Sequence, residues 1–273
     1  MKVMRAIALV LVALLPLHSI ADNRIRVSAP ITQAAAAQPP VVPEEPEVIP
    51  EPEPEPEPLV GVPPSMDGLQ VLYRFNGAVF KEGAWGGSMA IKNGGVVAAD
   101  DSPFADGSKS TKFSGNGLYS SIGPISGTGN FSLGIWVRTT TATGYLISQR
   151  DAQNDGQYVL QLSGGAVCYW DFPKGIGTGA MCSNKPVNDG EWHHIGFSRS
   201  GRVLSIYVDG VMTNTVTPGS INPVLTTNGL AIAFDQRDNG RYTAMNARDV
   251  FVYSRALSAE EFLWLGVNKL PFP

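Results

Sequence analysis

The chain has 273 residues, 43% hydrophobic and 16% charged, with 30 Gly, 21 Pro, two Cys and a formal charge of −4. That length carries one large domain or two small ones. A nucleic-acid binder needs a Lys/Arg excess to neutralise phosphates, and the balance here excludes that class.

Taken in chain order, Met1–Ala21 has a basic start (Lys2, Arg5), an apolar run from Ala6 to Leu17 and a small-residue exit at Ser19-Ile20-Ala21. It reads as a secretory signal peptide. The run is shorter than the roughly 20 residues of a membrane span and Pro16 interrupts it, so the membrane enters only through export. Residues 22–37 read as a short disordered segment. Residues 38–64 form a Pro/Glu-rich linker built on Pro50-Glu51-Pro52-Glu53-Pro54-Glu55-Pro56-Glu57-Pro58. Proline stiffness and like-charge repulsion extend such a segment at ~3 Å per residue, as a spacer. The remaining residues, 65–273, form one domain holding 16 acidic and 16 basic side chains, so the chain's acidity lies in the linker.

Within that domain the apolar runs are short, alternating and closed by Gly, Asn, Asp or Pro, the period of half-buried strands. Expected strands are Leu69–Phe75, Val96–Ala98, Leu118–Ile122, Phe131–Arg138, Tyr145–Gln149, Tyr158–Leu162, Trp192–Ser198, Leu230–Phe234 and Val250–Tyr253. Phe131, Leu133, Ile135 and Val137 share the core face, with Trp136 on the other. Val203–Val208, Asp209-Gly210 and Val211–Val216 make a hairpin with a two-residue primed turn. Cys168 and Cys182 sit in strand-like stretches flanking a turn-rich segment. A bridge between them clips that hairpin, and two separate buried thiols are the alternative. Ser258-Ala-Glu-Glu261 is a capping box ahead of Phe262, Leu263 and Leu265, which places one short helix near the end. So many strands in one domain predict an all-β sandwich of two antiparallel sheets.

Three segments resemble the laminin G-like members of the concanavalin A-like lectin/glucanase superfamily, in their bacterial secreted form. They are Leu72-Tyr-Arg-Phe-Asn-Gly77; Asn188-Asp-Gly-Glu-Trp-His-His-Ile195 with Leu204-Ser-Ile-Tyr-Val-Asp-Gly210; and Ala247-Arg-Asp-Val-Phe-Val-Tyr-Ser-Arg-Ala-Leu-Ser-Ala-Glu-Glu261. The resemblance spans Leu69 to Val267 and implies a jelly roll with ligands on the concave sheet or at the loop rim. The same sandwich serves lectins, adhesion modules, hydrolases and lyases, so the site must decide.

Glycosidases on this sandwich place carboxylates at alternating positions of one strand. Outside the linker only Asp189 and Glu191 are spaced so, in a turn read as a solvated loop. Neither this pattern nor a lyase cluster is present, so no catalytic residue is assigned. His193 and His194 point to opposite faces and cannot share a metal; His193 reads as a hydrogen-bonded core histidine. The family's calcium site, between the opening and last strands, departs at Asn76 and Arg248, with Asp249 one step late. The expectation is no cofactor, with Arg248 supplying the cation's charge and Asp100, Asp101 and Asp106 leaving room for a loop calcium.

Aromatic faces with planar polar groups suit sugars. That mixture points to Arg150, Asp151 and Asn154 in one loop, to Asp235, Arg237, Asp238, Arg241 and Tyr242 in another, and to Tyr169, Trp170 and Asp171 at a strand end. Trp85 is an alternative aromatic contact or edge cap. The leading expectation is a non-catalytic, exported recognition module that binds a glycan or cell-surface protein in the periplasm, at the cell surface or outside the cell. A structural part of a surface or pilus assembly is the alternative, and a polysaccharide hydrolase or lyase the third.

Overall fold

The computed structural model describes residues 60–77, 89–150, 157–172, 181–237 and 241–271, all within one compact unit, Pro56–Pro273. An eight-stranded sheet runs β13 (Val211–Val216), β12 (Val203–Val208), β11 (Trp192–Ser200), β6 (Phe131–Arg138), β15 (Met245–Tyr253), β4 (Ser110–Phe113), β3 (Val97–Ala99), and β1 (Leu69–Tyr73) pairs with β15 beyond β4. A seven-stranded sheet runs β10 (Met181–Pro186), β9 (Ala166–Phe172), β8 (Gln157–Ser163), β7 (Gly144–Gln149), β14 (Leu230–Ile232), β5 (Gly117–Tyr119), β2 (Ala90–Lys92). Every pairing is antiparallel. The architecture is a jelly-roll sandwich.

The alternation read along β6 is realised: Phe131, Leu133, Ile135 and Val137 are buried in the main core with Tyr158, Leu160, Leu162, Val167 and Tyr169 of the facing sheet. Trp136 lies on the outward side, edge-on to Phe104 at 5.5 Å. The β12–β13 turn has positive φ at both Asp209 (53°) and Gly210 (79°), as a type I′ hairpin requires. Cys168 and Cys182 are cross-strand partners on β9 and β10 and form a disulfide.

Two strands escaped the sequence pattern. β2 is three exposed residues, and β4 is too short for alternation to register. The last strand starts at Met245, earlier than expected, because a bulge between Arg248 and Phe251, with Asp249 at φ 43°, breaks its period.

The outward side of the eight-stranded sheet carries a second apolar cluster. The helix α1 (Ala259–Leu265) is fixed by the anticipated capping box: Glu261 N–H donates to Ser258 Oγ at 3.2 Å and Ser258 N–H to Glu261 Oε2 at 2.8 Å. Phe262 and Leu265 pack on Leu72, Tyr207, Phe251 and Tyr253. Phe262 lies so close that a Cβ on Gly196 would sit 2.4 Å from its ring. Val62 N–H donates to Glu260 O at 3.0 Å, so the chain enters the domain beside α1.

Candidate functional site

Strand pleating puts alternate residues of the seven-stranded sheet on its outward side. One cross-strand row there runs Tyr119, Ala231, Ser148, Val159, Trp170, each paired in register with the next across β5, β14, β7, β8 and β9. Half-buried aromatics stand at its two ends and small buried residues between them. Ser148 Oγ is fully buried without a hydrogen-bond partner. A neighbouring pair adds Tyr145 and Gln161.

Beside the row lies a buried polar floor. Arg150 Nη1 meets Asp235 Oδ2 at 2.6 Å, with side chains 5% and 0% exposed, and Arg150 Nε donates to Gln157 Oε1 at 3.1 Å. Asp235 Oδ1 also accepts from the Arg237 backbone N–H at 3.0 Å, which fixes the turn after β14. Phe234 covers Gly117, where a Cβ would sit 2.4 Å from its ring, and stacks with Tyr242 at 5.4 Å. Arg241 Nη1 approaches the Tyr145 hydroxyl at 3.5 Å. Arg237 and Arg241 are exposed at the rim.

Of the sequence-derived candidates, Arg150, Trp170, Asp235, Arg237, Arg241 and Tyr242 therefore converge on one face. Asp151, Asn154, Asp238 and Trp85 lie outside the described residues. Tyr169 belongs elsewhere: it has inward parity, is fully buried and stacks on Phe197 at 3.9 Å, so it is a core residue and not a ligand contact. Asp171 shares that inward parity and interacts electrostatically with Tyr169 and Arg199. The loop-based reading missed Tyr119, Tyr145, Ser148, Gln157 and Gln161. The available signal was the outward half of the strand alternation, polar at Gln157 and Gln161.

Among the described residues, Asp235 is the one carboxylate on this face, and Arg150 and the Arg237 N–H engage it. The two-carboxylate geometry of glycoside hydrolysis is not formed by these residues.

The histidines have separate environments. His193 is held between Asp209 (Nδ1 to Oδ2, 2.9 Å) and Asp189 (Nε2 to Oδ1, 3.1 Å), and the Asp209 hydrogen bond raises its pKa. Asp189 is exposed, as read from the sequence, and in addition accepts from this ring. Burial would raise Asp209, but hydrogen bonds from His193 and Lys185 outweigh it and hold Asp209 at about 2. His194 lies under α1 among Trp136, Phe251 and Phe262, with both ring nitrogens buried and unpartnered. Burial drives its pKa down to about 3.

The region where the family resemblance implies calcium is filled by side chains. Arg248 Nη1 donates to Lys109 O at 2.6 Å and to Ser102 Oγ at 3.3 Å, and its guanidinium lies 5.3 Å from the Phe104 ring centre. Asp249 is sandwiched between Arg248 and Arg74, the latter at 3.0 Å. Asn76 Oδ1 accepts from Lys109 N–H at 2.8 Å. Asp100, Asp101 and Asp106 pair with Lys109, Arg138 and Lys269. The carboxylates here, Asp100, Asp101, Asp106 and Asp249, thus pair with guanidinium or ammonium groups, and the Asn76 amide oxygen with a backbone N–H.

A family model of the laminin G type, described as the concanavalin A-like lectin/glucanases superfamily, matches residues 113–262. The chain belongs to this superfamily. In sequence it is 38% identical over 96 residues to the basement membrane-specific heparan sulfate proteoglycan core protein of Mus musculus, a match covering 34% of this chain and 2% of that protein. Among solved structures, the binding domain of Paraclostridial Mosquitocidal Protein 1 is similar at TM-score 0.57 and 15% identity, over 73% of this chain and 52% of that one. Domain 4 of AbnA, a GH43 extracellular arabinanase from Geobacillus stearothermophilus, in complex with arabinotriose, is similar at TM-score 0.56 and 19% identity, over 72% and 98%. A botulinum neurotoxin type C structure, titled for cell entry dependent on two ganglioside molecules, matches at TM-score 0.56 and 14% identity, over 74% and 52%. Such identities establish the shared fold.

Proposed function

We propose that this domain is a non-catalytic glycan-recognition module and that the outward side of the seven-stranded sheet is its binding face. The observation that carries this reading is the row from Tyr119 to Trp170, two half-buried aromatics separated by small side chains beside a buried Arg150–Asp235–Gln157 network. Aromatic faces pack on the apolar faces of pyranose rings, while a locked ionic network keeps its neighbours in place. Two proteins similar in fold support the reading: Domain 4 of AbnA is in complex with arabinotriose, and cell entry of botulinum neurotoxin type C depends on interaction with two ganglioside molecules. In this reading residues 1–21 act as a signal peptide and 38–64 as a Pro/Glu spacer, so that the module works outside the inner membrane on a tether. The domain's entry beside α1, on the other sheet, leaves the proposed binding face remote from the attachment point. Arg248 takes over the charge of a structural cation, so the module works without calcium.

The test is a glycan array followed by titration calorimetry of the best ligand. Trp170→Ala and Tyr242→Ala weaken binding about tenfold or more each, one decade per 1.4 kcal/mol of lost contact, with little change in thermal midpoint. Binding that survives both substitutions, or measurable release of reducing ends from any polysaccharide, overturns the proposal. No bound glycan together with a bound surface protein redirects it to the protein-partner alternative.

A further inference from the structure

A second outward row, on the eight-stranded sheet, runs Lys112, Asn246, Arg138, Trp192 across β4, β15, β6 and β11, each paired with the next. It lies at the end of the sheet away from α1. Lys112, Asn246 and Arg138 line a cleft of about 290 Å³ that Thr139, Thr140 and Gly190 close from the neighbouring turns. That volume is at the small end for ligand sites and suits one sugar ring, not a long oligosaccharide.

The cleft's donors are unevenly used. Lys112 is exposed, and no acceptor among the described residues engages its ammonium group. Arg138 is 44% exposed and spends Nη1 on Asp101 at 2.9 Å, which leaves most of its fork available. Asp101 is itself saturated by Asn246 Nδ2 and Ser110 Oγ. Asp189, in the turn that contributes Gly190, points to His193. Thr140 is exposed at the cleft's edge. Next to Arg138, Trp192 is half-buried and its indole N–H is buried without an acceptor.

We infer that this cleft is a second, separate saccharide subsite, selective for a sugar that carries an oxyanion, with Lys112 and Arg138 gripping the anionic group; Trp192 stands next to Arg138 on the row, outside the cleft's lining. Two cations on the strands that flank β15, with the Asn246 amide between them, match a carboxylate or sulfate, and charge-assisted hydrogen bonds are the strong ones.

The full chain is titrated by calorimetry with three tetrasaccharides: heparin-derived (sulfated), hyaluronan-derived (carboxylated, unsulfated) and cellulose-derived (neutral). At least one acidic probe binds, and Lys112→Ala weakens it about tenfold, as expected for one charge-assisted contact. Lys112→Glu abolishes it, whereas Trp170→Ala leaves it unchanged. The probe that binds tells carboxylate from sulfate. Because Arg138→Ala also releases Asp101, the Lys112 variants carry the test, with far-UV circular dichroism confirming folding. Acidic binding indifferent to Lys112→Glu, equal affinity for the neutral probe, or no acidic binding at millimolar concentration overturns the inference. If acidic binding disappears with Trp170→Ala and not with Lys112→Glu, the ligand belongs to the other sheet and this subsite is refuted.

Discussion

On the eight-stranded sheet the outward residues His194, Tyr207, Phe251 and Tyr253 lie beneath α1, and on the seven-stranded sheet the outward residues Ser148, Arg150, Gln157 and Trp170 belong to no second apolar cluster among the described residues. Both faces use a glycine to seat an aromatic ring against the backbone, Gly196 under Phe262 and Gly117 under Phe234. Their chemistry then separates. The first face is apolar and is satisfied by an element of the same chain, so its energy goes into stability. The second mixes aromatic surface with a buried ion pair and hydroxyls, a composition that adds little to folding and suits recognition.

The largest effects test this division directly. Phe262→Ala should cost about 3–5 kcal/mol of stability in urea unfolding, as for large-to-small changes in a packed core, while the folded protein keeps its ligand affinity. Asp235→Ala should cost a similar ~3–5 kcal/mol because it removes the carboxylate that faces the buried Arg150 guanidinium, and it should also weaken ligand binding. A stable Asp235→Ala protein would break the claim that an ionic floor holds the recognition face.

Replacing both Cys168 and Cys182 with Ser removes a bridge of sequence separation 14 and should lower stability by about 3 kcal/mol. Unfolding with and without a thiol reductant checks this on the native chain.

The third effect is pH-dependent. His194 titrates near 3 in the folded state and near 6.5 unfolded, so the unfolded chain takes up the proton first and stability falls as pH drops through that window. By about pH 5 the loss is about 2 kcal/mol, at 1.36 kcal/mol per pH unit. His194→Phe should remove it and raise the acid midpoint stability. His193 has the opposite sign: its folded pKa is raised, so its contribution is complete below the unfolded value and disappears as pH rises through the folded one. His193→Gln should therefore cost stability at acid pH and little at pH 9. The smallest effect is at α1, where Ser258→Ala removes one side of the capping box and should cost ~1 kcal/mol.

Much of the fold was legible. The Asp209-Gly210 turn, the β6 alternation and the Ser258–Glu261 box are local patterns whose physics acts within a few residues, and each appears as read. The candidate site was legible in part. Loop chemistry drew attention to Arg150, Asp235, Trp170 and Tyr242, but Tyr169 was misplaced because a strand-end triplet does not declare which parity faces the core. Ser148, Gln161 and Tyr119 were overlooked because small or polar strand residues look unremarkable until register aligns them.

Local pattern alone determined that this chain forms strands, a primed hairpin and a capped helix, with acidic and basic side chains balanced over residues 65–273. Only the tertiary structure decided which strands became neighbours. Cross-strand register is set by non-local burial of each sheet's inward face, and that burial aligned Tyr119 with Trp170 and Lys112 with Arg138. The pairing of Arg150 with Asp235, 85 residues along the chain, has the same origin: two charges leave water together only where packing brings them into contact.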